Sequence, residues 1–484
     1  MNYIIAKKGC IIKKKELDDS EINWIKADLT VRPYSSFKYD MPCFKVYLEN
    51  DEEICLPKYY AKDKFKIPSI MDENTGKDID VQFLTELRIE QKNIVTPILN
   101  AYKNGGGILS LPCGFGKTIL ALYLLSILKK KTLIIVHREF LITHWSDKIK
   151  EFLGDVKIKV IRSNTLKEPE CDIAICMLQT LSIKDFPNDF FNSFGNIIID
   201  ECHRVSTTTF SKIFFKINSN YMLGLSATPE RKDNMMKVIK WHIGDIIPLN
   251  TVKHIININV NRFVLNCNKE KLLRTNNTFA NKITSILDSD FRNRIIVNIV
   301  LNESKTPNRK FLLLSDRIEH LKKLKNIFDD YTNSVGFFIG GMSENELKKS
   351  EKCNIILGTF SMANEGLDIP SLNCLVLASP KIDILQTIGR ISRLQNSNIK
   401  PLILDFIDIL SVFISESEKR LKLYLKSNYC VNDYIYNEKK NIFEKNISKN
   451  KNYNIYLLGE NIEENKHIEK NEFDILYDKI LSDI

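Results

Sequence analysis

The sequence predicts an α/β protein with two tandem parallel-sheet domains preceded by a small α+β module. Three observations carry this prediction. From about Leu84, short runs that are apolar throughout alternate with helical stretches. Strands apolar on both sides belong to parallel sheets covered on both faces. A second alternating set begins near residue 283, after a less regular stretch, and residues 1–83 follow neither pattern. A length of 484 residues leaves room for two to four domains of roughly 100–200 residues each.

In chain order, Phe44, Val46 and Leu48 alternate as strand residues do within the N-terminal module. The first regular set runs GGILSLP, KTLIIVH, VKIKVIRS, CDIAICML, FGNIIIDE and YMLGLSATP, with EFLITHWSDKIKEFL among its helices. Residues 233–282 read as an irregular connecting segment. The second set runs RKFLLLSD, SVGFFIG, CNIILGT, NCLVLASP and KPLILDF, and FISESEKRLKLYLKS is expected as a helix packed on it. Residues 431–484 hold ten Asn and read as a loosely ordered, Asn/Lys/Glu-rich tail.

Composition narrows the class. Hydrophobic residues make up 44% and charged residues 27%, which excludes a disordered or disulfide-stapled chain. The net charge is +10, and residues 431–484 contribute −3, leaving +13 on the first 430. A polyanion site is therefore expected in the body of the chain. The 11 cysteines form no CxxC pair, so free thiols in a reducing compartment are expected, without structural zinc. No secretory signal is visible at the start. The greasiest stretch, Ile119 to Leu128, spans only about 15 Å as a helix and reads as buried rather than membrane-spanning.

LPCGFGKTIL joins an expected strand to an expected helix. Gly114 and Gly116 permit a tight turn and close backbone approach, and amides of Phe115 and its neighbours at a helix start favour phosphate. Lys117 is expected on the β/γ-phosphates and Thr118 on Mg²⁺. The strict phosphate-loop pattern wants Gly where this chain has Leu111. DECH, Asp200 to His203, ends the apolar run NIIID, at the strand edge where open α/β sheets bind ligands. Asp200 is expected to hold Mg²⁺ through water, and Glu201 to polarise the attacking water, a division of labour that phosphoryl transfer requires.

In order, LPCGFGKT, VHR, MLQTL, DECH, SATPER, LLLSD, GTFSMANEGLDIP and QTIGRISR resemble the motifs of superfamily 2 helicases. The subgroup looks XPB-like, close to phage and large-DNA-virus helicases, including the poxvirus transcript-release type. The resemblance covers residues 84–410. It implies two RecA-like lobes, ATP and Mg²⁺ as cofactors, and DNA as the track with 3′ to 5′ polarity. RNA, an RNA–DNA hybrid or duplex translocation without unwinding is the alternative. An ATP-switched binding subunit is a third reading, against which intact Lys117, Glu201, Arg390 and Arg393 argue. The implied divisions are 1–83 as a DNA-contacting module, 84–232 and 283–430 as the lobes, 233–282 as the connector and 431–484 as the tail.

The resemblance also implies residue roles. Gln91 would contact adenine, while Gly366 and Asp368 would approach the ribose. Arg390 and Arg393 would complete the catalytic site when the lobes close, and His203, Ser226, Ala227 and Thr228 would couple hydrolysis to movement. His137, Arg138, Gln179, Thr180, Ser315, Asp316 and Thr359 would touch the nucleic-acid backbone, contacts that position without reading sequence. Lys7, Lys8, Lys13, Lys14 and Lys15 form a candidate basic patch. Repair or transcription proteins are possible partners. No membrane is implied, and abundant Ile, Asn and Lys with the viral resemblance suggest a host nucleus or viral factory.

Overall fold

The computed structural model describes residues 3–6, 9–34, 42–65, 70–71, 76–112, 114–165, 167–187, 189–203, 211–217, 219–227, 233, 235–249, 257–265, 279–365, 367, 369–392, 399–409, 411–437, 440, 442–445 and 455–456. The chain divides into two units, Met1–Lys253 and His254–Ile484.

The first unit opens with a small α+β module. Strands β1 (Tyr3–Ala6), β2 (Gly9–Lys13), β5 (Leu48–Glu49), β6 (Glu53–Leu56) and β7 (Ile70–Met71) form a sheet in the order β5-β6-β2-β1-β7. Strands β3 (Thr30–Val31) and β4 (Phe44–Lys45) pair separately. Helix Asp19–Asp28 starts on a capping box in which Asp18 accepts from the Glu21 amide and the Glu21 side chain returns to the Asp18 amide.

The larger part of this unit is a parallel sheet of six strands. They are β8 (Gly106–Ser110), β9 (Thr132–Val136), β10 (Ile158–Ile161), β11 (Ile173–Met177), β12 (Asn196–Ile199) and β13 (Tyr221–Ser226), in the order β10-β11-β9-β12-β13-β8. Alternate side chains fill two separate cores. Ile134, Val136, Ile198 and Leu223 pack with Trp145 and Leu120 on one face, while Leu133, Ile135, Ile197 and Met222 pack with Phe214 and Ile239 on the other. Such burial contributes about 1.5–3 kcal/mol per large apolar side chain, which explains why these runs carry no polar alternation. Helix Lys117–Leu128, the greasy stretch of the sequence, buries Leu120, Leu122, Leu124 and Leu125.

The second unit contains strands β14 (Asn259–Leu265), β15 (Phe311–Leu314), β16 (Val335–Phe338), β17 (Ile355–Gly358), β18 (Cys374–Leu377), β19 (Leu402–Asp408), β20 (Cys430–Asn437), β21 (Ile442–Lys445) and β22 (Ile455–Tyr456). Their order is β16-β17-β15-β18-β19-β14-β20-β21-β22. Pairing is parallel from β16 to β20 and antiparallel beyond. The fold is thus α/β, with two parallel-sheet, RecA-like domains behind a small α+β module. Among the described residues no helix is long and apolar enough to cross a membrane.

Two segments differ from the sequence expectation. Residues 233–282 contribute ordered elements to both units. Helix Met236–Ile243 packs on helix Lys58–Phe65, with Tyr60 edge-on to Trp241 at 5.4 Å. Met235 and Val238 share an apolar core with Ile12, Ile25 and Leu56 of the N-terminal module. Asn259–Leu265 lies inside the second sheet between β19 and β20. At the other end, β20 and β21 extend that sheet into the Asn-rich region. Polar residues in these strands are paired: Arg262 meets Asp433 at 3.1 Å, and the Asn432 amide donates to Asn261 Oδ1 at 3.2 Å. Polarity in the sequence therefore marked a paired interior, not a loop.

Candidate functional site

Parallel strands place all their carboxyl ends at one edge, and β12, β13 and β8 are neighbours there. The loops that follow them carry the DECH turn, the SAT segment and the glycine loop.

In the glycine loop, Gly114 has φ +82° and Gly116 φ +94°, backbone that side chains rarely adopt. Gly116 caps helix Lys117–Leu128, whose first amides form the anion-favouring end. Thr118 lies in its first turn. Lys117 Nζ donates to the Leu111 carbonyl at 2.9 Å. Leu111 is buried in the core, and its amide donates to the Ser226 carbonyl at 3.2 Å. Packing thus fills the position where the strict motif has glycine, and ties the loop to the end of β13.

Gln91 is only 1% exposed. Its Nε2 donates to the Phe115 carbonyl at 3.0 Å, and its Oε1 accepts from the Arg88 amide at 3.0 Å. The Arg88 guanidinium also donates to the Phe115 carbonyl. One end of the Gln91 amide therefore braces the loop, and the other closes the start of its own helix, Ile89–Lys103.

Asp200 and Glu201 follow β12, and Glu201 turns the chain at φ +47°. Asp200 Oδ2 accepts the Trp145 indole N–H at 3.0 Å. His203 Nδ1 lies 3.2 Å from Glu201 Oε2 and 3.3 Å from Ser226 Oγ. Burial pushes Asp200 above the usual carboxylate range, and the adjacent Glu201 charge adds to the push. Burial also acts upward on Glu201, but the His203 hydrogen bond and the Lys117, His203 and His137 charges outweigh it and hold the carboxyl low. Cys202 is fully buried, its thiol driven up by desolvation. A Cβ on Gly224 would come within 2.9 Å of its Sγ, so the turn packs tightly on β13.

Ala227 follows Ser226 at the end of β13. Thr228 lies outside the described residues, as do Gly366, Asp368 and Arg393. His137 is buried at the end of β9, and Arg138 beside it is exposed. Gln179 Nε2 donates to the His137 carbonyl at 3.0 Å, joining the ends of β11 and β9, and Thr180 is half-buried beside it.

In the second unit, Ser315 is fully buried at the end of β15. Its Oγ meets His320 Nδ1 at 2.9 Å and accepts the Arg317 amide at 3.2 Å. That hydroxyl serves the loop's own architecture. Exposed Asp316 pairs with Lys381 Nζ at 3.0 Å, and Thr359 is half-buried after β17. Arg390 Nη1 donates to the Leu367 carbonyl at 2.8 Å.

Trp145, Arg88 and Lys381 were not singled out in the sequence. Only Trp145 left a signal there: a tryptophan on the buried face of an amphipathic helix must find an acceptor for its N–H.

A parallel sheet with a glycine loop, a lysine and paired carboxylates at one edge defines a nucleotide-hydrolysing enzyme. Residues 84–231 match the family described as type III restriction enzyme, res subunit. The protein L396 of Acanthamoeba polyphaga mimivirus, provisionally named an ATP-dependent RNA helicase, is 35% identical over 457 residues, covering 90% of this chain and 87% of that protein. Helicase 161L of Invertebrate iridescent virus 6, also provisionally named, is 27% identical and covers 88% and 99% of the two chains. The crystal structure of T4 UvsW aligns at 19% identity with a TM-score of 0.35, covering 90% of this chain and 99% of that one. The chain belongs to the superfamily 2 helicases and is an ATP-dependent helicase.

Proposed function

We propose that this helicase uses ATP and Mg²⁺ to move along DNA from 3′ to 5′, separating or remodelling strands as XPB-like enzymes do. The observation that carries the ATP-hydrolysing part of the reading is the meeting of Lys117, Asp200, Glu201 and the His203–Ser226 contact at one sheet edge, while DNA as the track and the polarity rest on the motif resemblance. Among the described residues no group of three or more His, Cys, Asp or Glu side chains could hold a metal. A nucleotide-bound Mg²⁺ does not need such a group, because it keeps waters and takes one or two protein oxygens beside the phosphates. Asp200, pushed toward protonation, fits a cation that restores its charge, and Thr118 supplies the hydroxyl. When bound, the metal would neutralise charge on the β- and γ-phosphates.

The chain's own groups do the rest. Amides at the start of helix Lys117–Leu128 and the Lys117 ammonium bind the phosphates, Lys117 leaving its bond to Leu111. Glu201, held ionised, orients the water that attacks the γ-phosphorus as the bond to the β–γ bridging oxygen breaks. His203 transmits the state of Glu201 to Ser226, with Ala227 and Thr228 following in the chain. By the motif they share, Arg390 and Arg393 are assigned stabilisation of transition-state charge, and Gly366 and Asp368 the ribose. Arg138, Thr180, Asp316 and Thr359 are assigned the nucleic-acid backbone. His137, Gln179 and Ser315 are assigned the same backbone, while the Gln179 side chain also bonds the His137 carbonyl and the Ser315 hydroxyl the His320 ring.

RNA is the second reading, because the mimivirus relative is named for RNA. A panel of forked DNA, Holliday junctions, D-loops, RNA duplexes and RNA–DNA hybrids decides between them. The DNA reading expects stimulated ATP hydrolysis and 3′ to 5′ displacement on forked DNA. Displacement confined to RNA duplexes would overturn it. Lys117→Ala and Glu201→Gln should each abolish hydrolysis.

A further inference from the structure

Trp145 is fully buried on helix Phe140–Leu153, yet its one polar atom is bonded to the acidic turn, 55 residues away in sequence. The indole N–H is a donor only, so in a dry core it requires a fixed acceptor. Main-chain carbonyls are the common choice for buried side chains. Here the acceptor is instead a side-chain carboxyl oxygen, Asp200 Oδ2 at 3.0 Å. The ring is packed in the core that holds Ile134 and Val136 of β9 and Ile198 of β12, the strand that ends in the turn. It therefore cannot follow a rotation of the carboxylate. The Asp200 amide is also fixed, donating to the Ile135 carbonyl at 2.9 Å.

We infer that Trp145 is a positioning residue for the nucleotide-bound metal: its N–H locks the Asp200 carboxylate by Oδ2 and leaves Oδ1 as the oxygen that serves the metal's water. This rests on the reading of Asp200 as the Mg²⁺ residue. Second-sphere partners of this kind typically change metal affinity by about 10–100-fold when removed. A merely structural tryptophan would instead change stability, or nucleotide affinity with and without metal alike.

The test is calorimetric titration of ADP into the full chain, with Mg²⁺ and separately with chelator. The readout is the ratio of the two affinities. Trp145→Phe should reduce that ratio by about tenfold while leaving the chelator value within about twofold. Benzothienylalanine at position 145 keeps the ring shape and removes the donor; it should give the same loss if Trp145→Phe folds poorly. Counting bound Mn²⁺ by electron paramagnetic resonance in the presence of ADP gives an independent reading. Asp200→Asn is the control. If Asp200→Asn removes the metal-dependent gain and both position-145 variants keep it, the Trp145 role is overturned alone. If Asp200→Asn also keeps the gain, the Asp200 assignment itself falls, and the Trp145 role with it.

Discussion

His203 Nδ1 stands 3.3 Å from Ser226 Oγ and 3.2 Å from Glu201 Oε2, so one imidazole joins the Glu201 carboxylate to the end of β13. If it carries the coupling, His203→Ala should keep a measurable share of basal ATP hydrolysis. Nucleic-acid stimulation and strand displacement should fall by an order of magnitude or more, about 1.4 kcal/mol per factor of ten. Steady-state hydrolysis with and without nucleic acid checks this, and retained stimulation would remove His203 from the coupling path.

Gly116 is required twice over. Its φ is +94°, and a Cβ there would stand 2.4 Å from Gln91 Nε2. Gly116→Ala should lower ATP affinity at least tenfold, measured by nucleotide titration. Adding Gln91→Ala should recover only part, because the backbone strain of about 1–2 kcal/mol remains. Full recovery would show that the steric contact alone matters.

Phe263 lies in the stretch whose sequence looked irregular, yet it is fully buried and stacked on Phe406 at 5.4 Å and Tyr434 at 5.2 Å. Phe263→Ala should cost about 3–5 kcal/mol of the second unit's stability. Urea unfolding measures it. A loss below about 1 kcal/mol would place this strand outside the core.

Two buried histidines give the fold an acid sensitivity. Burial lowers His242, stacked 4.5 Å from Phe214, to about 3. Burial, with the neighbouring Arg292 charge, lowers His320 likewise to about 3. The ordinary value is 6.5, so between 6.5 and 3 the unfolded chain binds more protons than the folded one. Stability should therefore fall as pH drops through this window, by up to about 1.4 kcal/mol per unit for each histidine. His242→Phe should flatten the slope of the first unit's unfolding free energy between pH 6.5 and 5. An unchanged slope would show that His242 titrates alike in the folded and unfolded chains.

Most of the first parallel sheet was readable from the sequence, because strands buried on both faces leave unbroken apolar runs such as TLIIV and NIII. The strand Asn259–Leu265 was not, since Asn261 and Arg262 interrupt its apolar pattern and find their partners in Asn432 and Asp433, 171 residues later. Neither segment reads as a strand until both are folded. Leu111 was legible as a departure from a motif, but its burial and its link to Ser226 were not.

By itself the sequence determined which chemical groups this helicase carries, their order, and their places at strand ends, because local patterning encodes secondary structure and motif spacing. Only the tertiary structure decided which strand ends are neighbours. An apolar run records that a strand is buried, not what it lies beside, and β8 pairs with β13, more than a hundred residues further along. That pairing brings Leu111 to Ser226, while β12 at the next position brings Glu201 and His203 to the same Ser226. Trp145 shows the same limit: its helix face was predictable, and its bond to Asp200 was not, because the acceptor arrives from another strand.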